Sequence, residues 1–269
     1  MGRTTAPSSV SVVALSVMVV VAVAITLIAG GVIYRRVMSS RRTMNTSLRI
    51  AISSVLGIAA FALLLFVPPA GTLNYWRRWA FLAVFSVASL IPTLFLGRKY
   101  PDAVERRTHA GPPQAESRPV QKVVMAGTFT AFAAILVVPA LDYRFGWSHV
   151  PAWLSIVGDV LVATGLGLAM WVVVQNNYAS ANITVEDGQP LVSTGLYGVV
   201  RHPMYFGNVI LMIGIALALG SYWALLLVVV GTLLMIVRIF DEEKMLSEQL
   251  GGYRQYMDTV RYRLVPLVW

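Results

Sequence analysis

The sequence has no cysteine and few charged residues. Without cysteine, disulfide bonds, thiolate metal sites and a cysteine nucleophile are excluded. Only 12% of the 269 residues are charged, against about 25% in a typical soluble domain. The three histidines, His109, His149 and His202, lie far apart, so we expect no histidine-rich metal site. Apolar residues make up 57% of the chain and the mean hydropathy is +0.72, which indicates an integral membrane protein.

The net charge of +9 does not by itself indicate a nucleic-acid partner. The basic residues cluster between apolar segments, as membrane topology requires. No run of lysine and arginine is interleaved with aromatic residues in the way that would follow a phosphate backbone. We therefore expect membrane lipids as partners and no nucleic acid.

Apolar segments of about 20 residues predict membrane-spanning helices. Seven such segments lie near residues 8–34, 48–68, 76–97, 122–141, 152–175, 204–219 and 222–240. The first is too long and too free of charge for a signal peptide, so we expect a retained helix. The last two are short and separated by Gly220-Ser221, which predicts a tight helical hairpin. The expected fold is all-α, a polytopic bundle of about seven helices with this C-terminal hairpin and an amphipathic cytoplasmic tail.

The basic residues are divided unequally between the two sides of this predicted topology. Seventeen of the 21 lie on one side, and only Arg3, Arg77, Arg78 and Arg144 lie on the other. Because positive residues favour the cytoplasmic side, we expect the N-terminus outside and the C-terminus in the cytoplasm. Segment 195–208 and the charged tail then share the cytoplasmic face.

The segment "GLYGVVRHPMYFGN", residues 195–208, places charge where a helix enters the membrane. Pro203 suits the first turn of a helix, and the free N–H groups of that turn favour an anion. Arg201 and His202 add positive charge, and Gly195 and Gly198 suit a tight turn. The pattern predicts a pocket for a carboxylate or phosphate. In the alternative interpretation, Arg201 and His202 are interfacial charges that anchor the helix end.

The segment "VRIFDEEKML", residues 237–246, carries charge out of the last apolar run. Arg238 and Glu242 are four residues apart and share one helix face. They either form an ordinary surface pair, or Arg238 orients an anionic group while Glu242 holds a hydroxyl or a cation. The predicted hairpin would bring them close to His202 and Tyr205.

The tail "GGYRQYMDTVRYRLVP", residues 251–266, has an apolar stripe at helical spacing. Tyr253, Tyr256 and Val260 fall on one side of this helix. The stripe either packs the tail against the membrane face or forms a lid over a cofactor.

Taken together, the motif at 195–207, the short hairpin and the tail resemble a known superfamily of membrane enzymes. Their order, spacing and residue types over about 177–266 are similar to those of the isoprenylcysteine carboxyl methyltransferases and phospholipid methyltransferases. The resemblance implies S-adenosylmethionine as methyl donor, bound at the cytoplasmic side. It divides the chain into N-terminal transmembrane helices and a loop, 1–121, and a methyltransferase-like core, 122–269.

The resemblance also implies site residues. Arg238 is implied beside the substrate, as the catalytic residue. The implied cofactor-binding residues are Gln189, Leu191, Val192, Tyr197, His202, Pro203, Met204, Tyr205 and Glu242. The chain departs from the family pattern where it has Leu196 for proline and Leu250 for phenylalanine.

The expected activity is methyl transfer to a lipophilic, isoprenoid- or lipid-like substrate that enters from the bilayer. Transfer from a sulfonium needs no metal, and it depends on proximity and orientation. A carboxylate acceptor is already deprotonated at neutral pH, which favours carboxyl O-methylation. The alternative is an NADPH-dependent sterol or polyprenol reductase, whose tail pattern is similar, and a non-enzymatic membrane protein is a further one.

Overall fold

The protein is helical throughout the part of the chain that the computed structural model describes. That part comprises residues 70, 72, 74–100, 119–179, 185 and 188–269, so the segments predicted to span the membrane at 8–34 and 48–68 lie outside it. The α-helices are α1 (Trp76–Lys99), α2 (Pro119–Phe145), α3 (Ala152–Gln175), α4 (Pro203–Ala218), α5 (Trp223–Gln249) and α6 (Tyr253–Thr259). A short 3-10 turn, Gly195–Gly198, precedes α4, and these residues contain no strand.

Four of these helices, α1, α2, α3 and α5, are long and apolar enough to cross a membrane. Their positions confirm the apolar segments predicted from residue 76 onward. Helix α4 has 16 residues and is shorter than a full crossing needs. Helix α5 extends beyond the apolar segment 222–240 and reaches Gln249, so Arg238 and Glu242 lie on one helix as predicted.

Helices α3 and α4 pack backbone against backbone. A Cβ atom on Gly158 would lie 2.2 Å from the backbone nitrogen of Ala218, and one on Gly214 would lie 2.7 Å from that of Val162. Small residues allow such close approach between membrane helices. Because α4 also packs against α1, α2 and α5, it is the central helix of the bundle.

The core lies between the helices, and the outer surface of the bundle is also apolar. Ile135, Val162 and Ile215 are fully buried in the core. On α5, a stripe of exposed apolar side chains faces away from it: Leu226, Val229, Val230, Leu233, Val237 and Phe240. An apolar exterior of this kind is expected where lipid is the solvent, and we refer to this row as the α5 stripe.

At one end of the bundle, a polar network ties helix ends together; we call this the closed end. Asp142 accepts hydrogen bonds from the backbone nitrogen and hydroxyl of Ser148, both at 2.6 Å, and from the hydroxyl of Ser221. The Nε of Arg77 donates to the hydroxyl of Ser155 at 2.8 Å. These contacts join the ends of α1, α2, α3 and α4 to the start of α5.

The described basic residues divide between the two ends as the topology predicts. Arg77, Arg78 and Arg144 lie at the closed end, where α1 begins and α2 ends. Arg98 and Lys99 end α1 at the other end of the bundle, where Leu96 packs near the end of α3. Which end faces the cytoplasm stays a prediction, and so does the division of the chain at 121/122.

Candidate functional site

A tight turn leads into α4. Gly195 has φ +62°, a left-handed conformation that favours glycine. Its missing side chain also leaves room for Gln175, because a Cβ atom there would lie 2.0 Å from Nε2 of Gln175. Oε1 of Gln175 accepts a hydrogen bond from the backbone nitrogen of Leu196 at 3.1 Å. The tight turn predicted at this glycine is confirmed, and the end of α3 holds it in place.

Helix α4 begins at Pro203, as predicted, with His202 at the N-cap. The first-turn N–H groups of a helix have no partner within the helix. In α4, the backbone N–H groups of Met204 and Tyr205 lie in this first turn. The start of α4 therefore offers hydrogen-bond donors where the predicted anion pocket requires them.

Arg201 is held inside the protein by several partners. The residue is buried, and its Nε lies 2.7 Å from Oε1 of Glu243. Its NH1 donates to the backbone carbonyls of Val260 and Arg261 at 2.7 and 3.0 Å. Its burial contradicts the interfacial-anchor interpretation, while Arg201 also lines the cavity described below, where the pocket interpretation places it.

Glu243 joins the motif to the tail. It accepts from Nε of Arg201 and from Nε of Arg263, the latter at 2.9 Å, and Nε2 of His202 lies 3.2 Å away. Two backbone hydrogen bonds of 2.9 Å run beside it, from the nitrogens of Arg201 and His202 to the carbonyls of Tyr262 and Arg263. We call Arg201, His202, Glu243 and Arg263 the tail clamp.

Arg238 and Glu242 lie on either side of Tyr205. Nε of Arg238 donates to the hydroxyl of Tyr205 at 2.8 Å, and that hydroxyl donates to Oε2 of Glu242 at 2.6 Å. NH1 of Arg238 donates to Oε1 of Gln121 at 3.1 Å. The predicted meeting of the hairpin tips is confirmed. The surface-pair alternative is wrong, because Arg238 is buried.

An open cavity of about 840 Å³, solvent-exposed space included, lies at this end of the bundle. All nine residues implied as cofactor-binding line it: Gln189, Leu191, Val192, Tyr197, His202, Pro203, Met204, Tyr205 and Glu242. They come from the 188–195 segment, the 3-10 turn, α4 and α5. The 189–192 segment is irregular instead of strand-like. Arg238 does not line the cavity and reaches it through Tyr205.

The tail forms part of the wall of this cavity. Tyr253 and Tyr256 line it, and with Val260 they form a buried cluster against Leu191. The hydroxyl of Tyr256 donates to the carbonyl of Tyr197 at 2.7 Å. The hydroxyl of Tyr253 is buried and has no partner among the residues described. Two residues of the stripe thus line the cavity, and the same cluster packs against Leu246 of α5, so the choice between packing and a lid stays a prediction.

Burial keeps both hydroxyls of the tail protonated. It raises the pKa of Tyr253 well above the usual tyrosine value, and the nearby carboxylates of Glu243 and Glu242 raise it further. Burial and the neighbouring Tyr197 likewise raise the pKa of Tyr256. Both side chains are therefore neutral hydrogen-bond donors at physiological pH.

Several site residues had no signal in the sequence that could identify them. Gln121 begins α2 and reaches Arg238 from far along the chain, and its Nε2 donates to Asp241. Glu243 and Arg263 pair only after the tail folds back. Within the described ranges, no cluster of histidine, aspartate and glutamate could hold a metal ion.

The chain is similar to a known protein family in sequence and to a solved structure in fold. Residues 153–252 match the family model of phospholipid methyltransferase. No curated protein matches the chain in sequence. A solved structure of the eukaryotic intramembrane Ras methyltransferase ICMT (isoprenylcysteine carboxyl methyltransferase), without a monobody, aligns with a TM-score of 0.53 at 18% identity. The alignment covers 93% of this chain and 86% of that one.

The family match and the structural match concern overlapping parts of the chain. The family region begins with α3 and ends at the residue before α6, so it contains the turn, α4, α5 and most of the cavity wall. The structural match extends the fold to nearly the whole chain. The resemblance seen in the sequence is confirmed: residues 153–252 match the model of the phospholipid methyltransferase family, and the fold matches that of a solved intramembrane methyltransferase.

Proposed function

We propose that the protein transfers a methyl group from S-adenosylmethionine to a carboxylate on a lipophilic substrate that enters from the bilayer. The observation that carries this proposal is the meeting of nine residues in one cavity. They are dispersed between residues 189 and 242, and they are the positions that match the family's cofactor motif. The cavity lies where helices long enough to cross a membrane end.

The residues around the cavity fit this donor. The cavity is concave, open to solvent and lined by both apolar and polar side chains, as small-molecule sites are. The start of α4 offers N–H groups to a carboxylate, and the unpartnered hydroxyl of Tyr253 offers a further hydrogen bond. Glu242 and the stacked rings of His202 and Tyr205, 5.6 Å apart, suit a positively charged group.

The donor supplies a methyl group on a sulfonium, and the protein has to hold an acceptor in line with it. Arg238 is suited to holding a carboxylate, because its planar guanidinium matches that group. It lies one hydrogen bond from Tyr205, which lines the cavity, and Gln121 braces it from α2. A carboxylate needs no general base, so positioning by Arg238 is the main requirement.

Titration calorimetry of the purified protein tests the cofactor. We expect S-adenosylmethionine and S-adenosylhomocysteine to bind and NADPH not to bind. Binding of NADPH alone would instead identify a reductase, and binding of none would favour a non-enzymatic protein. His202→Ala and Glu242→Ala should each weaken donor binding at least tenfold, while Gly167→Ala, in open space on α3, serves as the control. Unchanged affinity in both site variants would remove this assignment.

Radiolabelled donor tests the acceptor. Membrane vesicles with total lipid should incorporate label into a lipid-soluble product, and mild alkali should release it as methanol if it is a methyl ester. Alkali-stable label would indicate N-methylation and contradict the carboxylate proposal. Arg238→Ala should mainly impair turnover, because it removes the acceptor's partner, with a smaller loss of donor affinity because it also removes the hydrogen bond to Tyr205.

A further inference from the structure

The turn after α6 exposes two aliphatic side chains. Leu267 and Val268 are 83% and 77% exposed. The turn is closed by hydrogen bonds from the nitrogens of Leu264 and Val265 to the carbonyl of Trp269, at 2.9 and 3.0 Å. Leu267 adopts a left-handed conformation, φ +66°. An ordered turn thus presents two neighbouring apolar side chains away from the protein; we call residues 264–269 the anchoring turn.

The anchoring turn lies beside the end of the α5 stripe. The ring of Trp269 meets the ring of Phe240 edge-on, with centroids 5.7 Å apart. From Trp223 to Phe240, α5 rises roughly 26 Å at 1.5 Å per residue, close to the thickness of a bilayer core, about 30 Å. Phe240 therefore lies near one edge of the hydrocarbon, and the exposed apolar surface of the stripe continues into the turn.

The groups around the turn suit the headgroup layer. The guanidinium of Arg263 lies over the rings of both Phe240 and Trp269, at 5.1 and 5.4 Å. Tryptophan is enriched at the membrane–water boundary, and basic side chains there are attracted to anionic lipids. Apolar tips beyond such a layer are what an interfacial anchor presents to the acyl chains.

We propose that the anchoring turn inserts Leu267 and Val268 into the bilayer beside α5 and thereby pins the tail across the cavity. The apolar surface of the turn continues that of the α5 stripe, and we expect lipid to cover both. Arg263 belongs both to this interface and to the tail clamp, where it pairs with Glu243. The membrane contact and the tail's contact with the residues beside the cavity therefore share one residue. The proposal does not depend on the reaction that the cavity performs.

The lack of cysteine makes a direct test possible. A nitroxide label on Val268→Cys is compared with labels on two controls, in vesicles of phosphatidylcholine and phosphatidylglycerol. Leu233→Cys, on the α5 stripe, reports lipid, and Gly251→Cys, exposed with nothing within 4 Å of its Cβ, reports water. Collision with oxygen, which is enriched in lipid, is measured against collision with a water-soluble nickel chelate.

We expect the ratio of oxygen to chelate collisions at Val268 to lie nearer that of Leu233 than that of Gly251. A ratio nearer that of Gly251 would overturn the proposal. Leu267→Cys gives a second, independent measurement, and both labels must report lipid. Since both side chains are exposed, the substitutions remove no core contact, and each labelled protein can be checked for unchanged thermal unfolding.

Discussion

The two ends of the bundle both bury charged groups, but they use them differently. At the closed end, Asp142 is held by Ser148 and Ser221, and the network joins helix ends directly. At the cavity end, Glu243 is held by three basic side chains, yet the network borders an open cavity and leaves the hydroxyl of Tyr253 without a partner in the described residues. A polar network that only joins helices stabilises the fold. A network that borders a cavity is also in a position to contact a ligand, as the proposed function requires.

The tail clamp should be the most sensitive part of the cavity end. Glu243→Ala leaves the buried cation of Arg201 without its carboxylate, so we expect a loss of about 3–5 kcal/mol in the free energy of unfolding. Denaturant unfolding in detergent micelles measures it. The neighbouring Glu242→Ala is the control, because Glu242 is less buried and bonds to Tyr205. Equal destabilisation by both variants would contradict the division between clamp and cavity.

The close backbone contact between α3 and α4, which we call the seam, should be destabilised by any side chain added at its glycines. Gly158→Ala would place its methyl group 2.2 Å from the backbone of Ala218, so the helices must move apart. We expect a loss of about 1–3 kcal/mol, typical of overpacking. Gly167→Ala on the same helix meets nothing within 4 Å and should be neutral or slightly stabilising. Similar midpoints for both variants in thermal unfolding would show that the seam is looser than described.

The closed end should affect stability without affecting the cavity. Ser221→Ala removes a buried donor to Asp142 and the acceptor for the backbone nitrogen of Ala224. We expect a loss of about 1–2 kcal/mol and unchanged affinity for S-adenosylhomocysteine by calorimetry. Thr164→Ala, on the exposed surface of α3, is the control for the loss of a hydroxyl. Weakened binding in Ser221→Ala would mean that the two ends are coupled.

The sequence predicts the helices better than it predicts the polar contacts between them. Long apolar runs locate α1, α2, α3 and the start of α4, since hydropathy needs no knowledge of the fold. The apolar segment 222–240 marks only the membrane part of α5, and the helix runs on to Gln249 because glutamate is a good helix former. Hydropathy shows where a chain leaves the membrane, but the helix can continue into the polar region beyond it.

The cavity residues were predictable because the family motif keeps their spacing, whereas the tail clamp was not. Glu243 contacts Arg201 from 42 residues away, and Gln121 contacts Arg238 from 117 residues away. No local pattern records such pairings. Arg201 is a further example: its place before a helix start is visible in the sequence, but the carboxylate that holds it comes from α5 and the carbonyls come from the tail.

The smallest expected effect distinguishes two tyrosines of the tail. Tyr256→Phe removes the hydrogen bond to the carbonyl of Tyr197, so it should cost about 0.5–1.5 kcal/mol of stability. Tyr253→Phe removes a hydroxyl that contacts no described partner, so it should leave stability unchanged or raise it slightly. If that hydroxyl serves the ligand, S-adenosylhomocysteine should bind about two- to tenfold more weakly to Tyr253→Phe by calorimetry. Loss of stability with unchanged affinity would instead make Tyr253 a structural residue. The polar contacts at the cavity end would then serve the fold, as those at the closed end do.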